Sequence, residues 1–478
     1  MLTRLLLIPV IGTLIILPME NLKQIKQVGL IRAVVNFALS MFLWVRFDSG
    51  SLQYQFVEEY NTLNFCHLHI GIDGISLYFV LLTTFITPVC LLANWNNLEF
   101  GYKYYFIAFL LMETLLIAVF VVLDLMLFYI FFEAVLIPMF LVVGIWGGSI
   151  TRIRASFLLF LYTLAGSLFM LLAILVIYYN VGSTDFTIIS LSNISFDSQK
   201  ILWLAFFLSF VVKTPMRPFH IWLPRAHAEA PLAGSILLAG LFLKLATYGY
   251  LRILIDFMPD ATRYFTPLVQ TIAIVSLIYS SLATIRQVDF KRLVAYSSIA
   301  HMAVVVLGLF SNTIIGIEGA IALSIAHGFI SPALFLLVGG VVYDRFHSRI
   351  IRYYRGLTVY MPVFRLLFFL ATIANMGIPL SLNWAGEYMA LSGVFQQSPF
   401  IGLLASTGIV LSACYSIFLF NRIAFGSYSQ YLGPINDVSR REFVLLITLL
   451  RPAFILGIFP NIVLNDIHTS VSELLYVL

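Results

Sequence analysis

Ionisable residues are scarce in this chain. Only 10% of its 478 residues are Asp, Glu, Lys or Arg, against about 25% in a soluble domain. That deficit excludes a mostly water-facing surface. No polar stretch is long enough to fold as a separate soluble domain, and the longest, near 46–70 and 180–200, are loop-sized. Cysteine is scarcer still. Cys66, Cys90 and Cys414 stand apart with no CxxC pair. This excludes a locally built zinc ribbon or iron–sulfur ligand set, and a disulfide framework. There is no P-loop and no GxGxxG after a strand. His227, Ala228 and Glu229 imitate half of a deaminase signature, but its PCxxC half is missing. The formal charge of +5 is nowhere clustered enough to suggest nucleic acid.

What is present is apolar length. Hydrophobic residues make up 61% of the chain, and mean hydropathy is +1.00. A membrane-crossing helix needs roughly 20 such residues. Fourteen apolar runs qualify, near 2–18, 28–45, 75–95, 104–122, 125–146, 155–178, 201–220, 232–255, 267–285, 293–310, 318–341, 363–395, 400–421 and 443–463. The expectation is an all-α integral membrane protein, one membrane domain over 1–478 with about 14 transmembrane helices. The opening MLTRLLLIPVIGTLIILP reads as the first of them, because no convincing small-residue cleavage site follows it.

Lys and Arg test this count independently. Of the 27, nineteen fall in loops after odd-numbered spans. Five (Arg4, Arg46, Lys200, Arg252 and Arg263) fall at the N-terminus or after even-numbered spans, and Lys213, Lys244 and Arg451 fall inside spans. A miscounted helix would scramble that asymmetry. Positive loops stay on the inner side of the membrane, so both termini are expected on the outer side.

A charge at the bilayer centre costs at least ~2.5–3.5 kcal/mol on insertion scales. Four need a reason: Glu133 in YIFFEAVLIPMF, Lys213 in FVVKTPMRP, Lys244 in GLFLKLATYG and Glu387 in LNWAGEYMA. His301 and His327 lie within or near later spans. Glu133 and Lys213 have opposite signs and can stabilise each other if spans five and seven adjoin. Burial and a carboxylate neighbour act on a lysine's proton affinity in opposite senses. Such a lysine can load and release a proton when its partner moves, whereas an arginine stays protonated. The alternative is a structural ion pair locking two helices. Four ionisable groups on four spans weigh against it, because an apolar core holds helices as well or better. His301 and His327 taken alone also read as hydrogen-bonded core histidines, and haem ligation by the two has nothing else in its favour. Glu113 and Asp124 are expected near a helix end, solvated. Arg451 is expected at the start of span fourteen, beside Pro452, snorkelling to the interface.

Thr214 and Pro215 follow Lys213 at once. Proline removes a backbone donor, and in lipid the freed groups must find partners or line a hydrated cavity. Lys213 is expected to use such freed carbonyls. Span twelve repeats the device: Gly377, Pro379, Asn383 and Gly386 interrupt it beside Glu387. Two broken helices five spans apart point to an inverted repeat. The units are spans four to eight (104–255) and nine to thirteen (267–421). Residues 1–103 supply three preceding helices, and 443–478 supply helix fourteen and a tail.

Five stretches carry a resemblance: GIDGISLYFVLLTTF (72–86), FFEAVLIPMFLVVGIWG (131–147), VKTPMRPFHIWLPRAHAEAPLAGSILLAGLFLKLATYGYLR (212–252), KRLVAYSSIAHM (291–302) and IAHGFISPALFLLVG (325–339). Together they closely resemble the chain 4 family of NADH:ubiquinone oxidoreductase, respiratory complex I. FDSGSLQYQFVEEY (47–60) looks most like its plant or algal mitochondrial members. The resemblance covers nearly the whole chain. It implies the antiporter-like fold shared with Mrp-type sodium/proton antiporters, and a proton-translocating role in the mitochondrial inner membrane. It implies that Glu133 and Lys213 are a coupled pair, Lys244 a central lysine, His301 and His327 members of a hydrated axis, and Glu387 the acidic end of the path. It also implies no redox centre in this chain. NADH, FMN, iron–sulfur clusters and ubiquinone would belong to partner subunits, with neighbouring antiporter-like chains and phospholipids around it.

Overall fold

In a bilayer each backbone N–H and C=O must be satisfied within its own segment, which leaves helices as the form open to long apolar runs. The computed structural model describes residues 1–60, 68–96, 100–192, 194–427, 429 and 436–476, and Cys66 lies outside them. The long helices in chain order are α1 (Leu2–Ile16), α2 (Leu22–Arg46), α3 (Gly74–Ala93), α4 (Tyr102–Val121), α5 (Leu125–Trp146), α6 (Arg152–Val181) and α7 (Phe196–Lys213). The short α8 (Trp222–Glu229) is followed by α9 (Leu232–Ile255), α10 (Pro259–Ile285), α11 (Phe290–Leu309) and α12 (Ile314–Phe346). Then come α13 (Pro362–Met376), α14 (Leu382–Gln397), α15 (Pro399–Ala424), α16 (Arg440–Ile458) and α17 (Asn461–Tyr476).

Among the described residues, ten of these are long and apolar enough to cross a membrane. The other expected spans are helices that are shorter, more polar or bent: α1 and α13 have 15 residues each, α7 carries Asp197, Lys200 and Lys213, and α16 turns by 71° into α17. Short polar caps start many of them. Asp73, Asp124, Asp289, Thr313, Ser381 and Ser439 each accept a backbone N–H of the first turn, which satisfies a donor the helix cannot.

Burial separates centre from rim. In α9 and α12 the whole central window is buried, against 28% in α2 and 33% in α15. Three π-helical stretches interrupt the two central helices: Leu238–Phe242 and Tyr250–Ile255 in α9, and Leu336–Val342 in α12. A π turn looks like ordinary helix in sequence, and it is frequent at functional sites.

The loop near 46–70 contains a small antiparallel hairpin, Gln55–Tyr60 with Leu68–Ile72. The N-terminal ammonium bonds Glu58 of this hairpin, and Thr469 of α17 bonds the Ser49 carbonyl (3.0 Å). The N-terminus and α17 therefore lie on one face. On that face Asp124 bridges Asp185, with Leu125 N–H on Thr184 O (2.8 Å) and Phe186 N–H on Leu123 O (2.9 Å). The opposite face repeats the pattern. Asp289 bridges Ile350, with Phe290 N–H on Arg349 O (3.0 Å) and Ile351 N–H on Val288 O (2.9 Å).

Three expectations are corrected. Glu113 is neither solvated nor terminal: it is fully buried in the middle of α4 and accepts from Asn36 Nδ2 of α2 (2.7 Å). Asp124 does sit at a helix start but is buried, taken up by Leu127 N–H and Thr184 Oγ1. Arg451 does not open its span; it is the twelfth residue of α16 and exposed.

Candidate functional site

Lys213 ends α7, and the break behind it is satisfied locally. Met216 N–H donates to Val211 O (3.1 Å), Trp222 Nε1–H to Val212 O (2.9 Å), and Thr214 donates both N–H and Oγ1–H to Phe210 O (2.8 Å each). Lys213 therefore does not use carbonyls freed by its own break, because other donors have taken them. Its Nζ reaches across to Phe132 O of α5 (2.9 Å) and lies 3.2 Å from the Phe132 ring centre. The alternative reading, a direct ion pair with Glu133, is absent among the described residues. Lys213 is held by the backbone one residue earlier, where α5 is interrupted at Val135. Glu133 is half-buried, its Oε1 is unpartnered, and Ser167 of α6 lies against it. Lysine and carboxylate are thus neighbours that interact through space.

Lys244 is fully buried in α9. The π turn just before it presents the Ala239 carbonyl, to which Nζ donates (2.6 Å). Nζ also meets His327 Nδ1 of α12 at 2.8 Å. Glycine makes this approach possible. A Cβ on Gly328 would stand 2.6 Å from Leu82 and 3.3 Å from the Gly240 carbonyl. A charged lysine can only donate, so His327 Nδ1 then accepts, and a neutral ring carries its hydrogen on Nε2. That Nε2 is buried and unpartnered, and the His301 ring centre is 5.8 Å from that of His327.

His301 of α11 continues the file. Its Nδ1 lies 3.0 Å from Glu387 Oε1 of α14, and its Nε2 lies 3.3 Å from the Tyr415 hydroxyl of α15. Glu387 sits past the second helix break. Gly377 closes α13 at φ 76°, where a Cβ would be 2.5 Å from Glu387 Oε2, so glycine supplies both the turn and the space. A cavity of about 10 Å³ opens beside His301, Glu387, Ser412 and Tyr415, enough for about one water.

Lys244, His327, His301 and Glu387 thus form one contiguous buried file across four helices. Among the described residues, no hydrogen bond or ion pair joins Lys213 or Glu133 to it. The Phe242 ring, two residues before Lys244, lies 4.8 Å from Lys213 Nζ.

Sequence reasoning missed three residues here. His227 of α8 is fully buried, stacks on Phe335 at 4.6 Å, and leaves both ring nitrogens unpartnered. Its signal in sequence is its place after the broken span, where His227, Ala228 and Glu229 read as a chance fragment of a deaminase signature. Tyr415 lies in an unremarkable apolar run. Lys291, placed in a loop, is buried and donates to Ala230 O (3.0 Å). Around Ala230 the face opposite the N-terminus and α17 is clamped: Ser149 and Arg349 bond Glu229, and Arg349 also donates to Ala228 O (2.5 Å). Burial opposes the Glu229 charge, but the Ser149 and Arg349 bonds outweigh it and hold this carboxyl below the usual range.

Known proteins share this fold. Residues 122–412 match the family described as NADH:quinone oxidoreductase/Mrp antiporter, transmembrane. NADH-ubiquinone oxidoreductase chain 4 of Mycosarcoma maydis is 66% identical, over 100% of this chain and 99% of its own. Chain 4 of Arabidopsis thaliana is 47% identical, over 99% and 96%, so the plant likeness is real but weaker than that to Mycosarcoma maydis. A chain in the structure of respiratory complex I from Thermus thermophilus with bound NADH superposes with TM-score 0.90 at 28% identity, covering 99% of this chain and 100% of that one. A chain of the membrane-bound sulfane sulfur reductase, an archaeal respiratory membrane complex, shares the fold at TM-score 0.85 and 22% identity, covering 95% of this chain and 75% of that one. By end-to-end identity and by fold, this chain belongs to the NADH-ubiquinone oxidoreductase chain 4 family of NADH:quinone oxidoreductase/Mrp antiporter membrane subunits.

Proposed function

We infer that this chain is a proton-translocating, antiporter-like core subunit of respiratory complex I, working with the other complex I subunits as part of an H⁺-translocating NADH:ubiquinone reductase. The observation that carries the reading is the buried file from Lys244 through His327 and His301 to Glu387, in a chain 66% identical end to end to a chain 4. The family also contains Mrp antiporters, but the end-to-end chain 4 identity favours the respiratory complex.

The proposed path uses Glu133, Lys213, Lys244, His327, His301 and Glu387. Moving Glu133 away from Lys213 removes a favourable field and lowers the lysine's proton affinity. Lys213 then passes its proton towards Lys244, and the file carries it on through the two imidazoles to Glu387. Imidazole suits this relay because one ring nitrogen can accept while the other donates. The redox chemistry, with NADH, FMN, iron–sulfur clusters and ubiquinone, is assigned to partner subunits, and phospholipids cover the rim helices.

We place the chain in the mitochondrial inner membrane with fourteen crossings and both termini on the intermembrane-space side. Residues 104–255 and 267–421 are proposed as inverted repeats. The matching Asp124–Asp185 and Asp289–Ile350 bridges on opposite faces support that division. So do the two breaks: Lys213 precedes the first and Glu387 follows the second.

The test is proton pumping by assembled complex I carrying Lys213→Ala, with assembly checked on the same membranes. The path requires fewer protons moved per NADH oxidised. An unchanged ratio in fully assembled complex would remove Lys213 from it.

A further inference from the structure

The outer face of α16 is an apolar stripe interrupted by one cation. Val444 (51% exposed), Ile455 (49%) and Ile458 (51%) share a side of the helix with exposed Arg451, at the spacing that brings residues onto one face. Among the described residues, Arg451 makes no hydrogen bond, ion pair or ring contact. Pro452 follows it inside the helix. Proline leaves the carbonyl four residues earlier without its usual donor, so the Thr448 backbone adds an acceptor one turn from Arg451.

Depth decides what can meet this guanidinium. At 1.5 Å per residue, Arg451 lies about 16 Å from Arg440 at one end of α16 and about 10 Å from Ile458 at the other. The apolar belt continues past that second end through exposed Phe459 and Ile462. An extended arginine reaches about 6 Å from its Cα, five bonds of roughly 1.5 Å in a staggered chain. Its Cα–Cβ bond leans towards the helix N-terminus, the more distant end. The guanidinium therefore stays alongside the apolar length of α16, short of Arg440 at one end and of Ile458 at the other.

We propose that Arg451 is a docking residue for a neighbouring subunit, pairing with a carboxylate on a membrane helix that packs along the Val444–Ile458 stripe. This rests on the reading of the chain as a complex I subunit. A charge at this depth is costly unless paired, and a planar guanidinium matches a carboxylate with two parallel hydrogen bonds. The apolar residues on either side supply the packing surface. A lipid phosphate is the competing occupant, and the depth disfavours it.

The test uses purified intact complex carrying Arg451→Leu or Arg451→Lys, taken through a detergent series on native gels, with bound phospholipid phosphorus measured on the same samples. Leucine suits the membrane and leaves α16 intact, so a folding defect is not built into the variant. The proposal requires that Arg451→Leu release a neighbouring membrane subunit at lower detergent than wild type, with phospholipid content unchanged, and that Arg451→Lys recover part of the loss. Wild-type retention in the leucine variant would overturn it. So would a loss of bound phospholipid that accounts for the weakened retention, since that assigns Arg451 to a lipid. If the wild-type chain is absent from any NADH-oxidising complex, the functional reading itself fails. If it is present and Arg451→Leu changes nothing, only the docking assignment fails.

Discussion

Gly386 offers a way to move the end of the proton file without altering a charge. It lies on α14 beside Glu387, and α12 passes so close that a Cβ there would meet the Leu323 backbone N at 2.6 Å and Cα at 2.8 Å. Ordinary contact begins at 3.4 Å, so Gly386→Ala has to part the two helices by about 0.8 Å. The obstacle is backbone, which cannot rotate aside. If Glu387 moves with its helix and directly away from His301, the 3.0 Å contact opens to at most about 3.8 Å, beyond a hydrogen bond. A bond to a charged group is worth ~1.5–3 kcal/mol, or roughly ten- to a hundredfold in a rate that depends on it. The assay is proton pumping in reconstituted vesicles, normalised to NADH oxidation and to assembled complex. Pumping should fall while the complex still assembles. A wild-type ratio in assembled Gly386→Ala complex would refute the view that the His301–Glu387 distance limits transfer. Failure to assemble would refute the view that the clash stays local.

Two further outcomes follow from the same contacts. Glu113 Oε2 and Asn36 Oδ1 are both unpartnered acceptors, beside the Asn36 Nδ2–Glu113 Oε1 bond. Gln at 113 supplies the missing donor, so Glu113→Gln should keep wild-type Tm and pumping. Glu113→Ala strands the Asn36 amide at a cost of ~1–3 kcal/mol and should lower Tm. Lost pumping in a stable Glu113→Gln complex would instead make Glu113 a proton carrier. At the opposite face, the Glu229 carboxyl is held below its usual range. Its stabilisation is fully present above the ordinary glutamate value of about 4.3 and is lost as pH falls through the lowered folded value. Hydrogen-exchange protection of residues 222–230 should therefore persist to about pH 4.3 and fail below it. Arg349→Ala should move that failure upward, and an unmoved midpoint would contradict the clamp.

The intramembrane charges were legible in sequence because nothing local explains Lys213, Lys244 or Glu387 inside an apolar run. The two helix breaks were legible because Pro215 and Gly377 have fixed backbone consequences. What depends on distance between helices was not. Glu113 looked terminal beside Asp124 because its partner Asn36 is 77 residues away. The choice of Phe132 O over Glu133 for Lys213 turns on a few ångströms between α5 and α7. The π turns that place Ala239 against Lys244 have no marker that separates them from α-helix. In sequence the C-terminal stretch Asn461–Tyr476 looks like a tail, although Trp44 and Tyr78 both bond its Asp466. Those partners lie more than 380 residues earlier, so no local pattern could reveal the docking.

The central claim is that the buried file from Lys244 to Glu387 carries protons. Its most direct measurement is the number of protons pumped per electron by purified, fully assembled complex I bearing Lys244→Met, reconstituted in sealed vesicles. Methionine fills the buried space but cannot hold a proton or meet His327 Nδ1 as a donor. The account predicts a ratio below wild type with the complex intact. A wild-type ratio would mean that protons cross elsewhere.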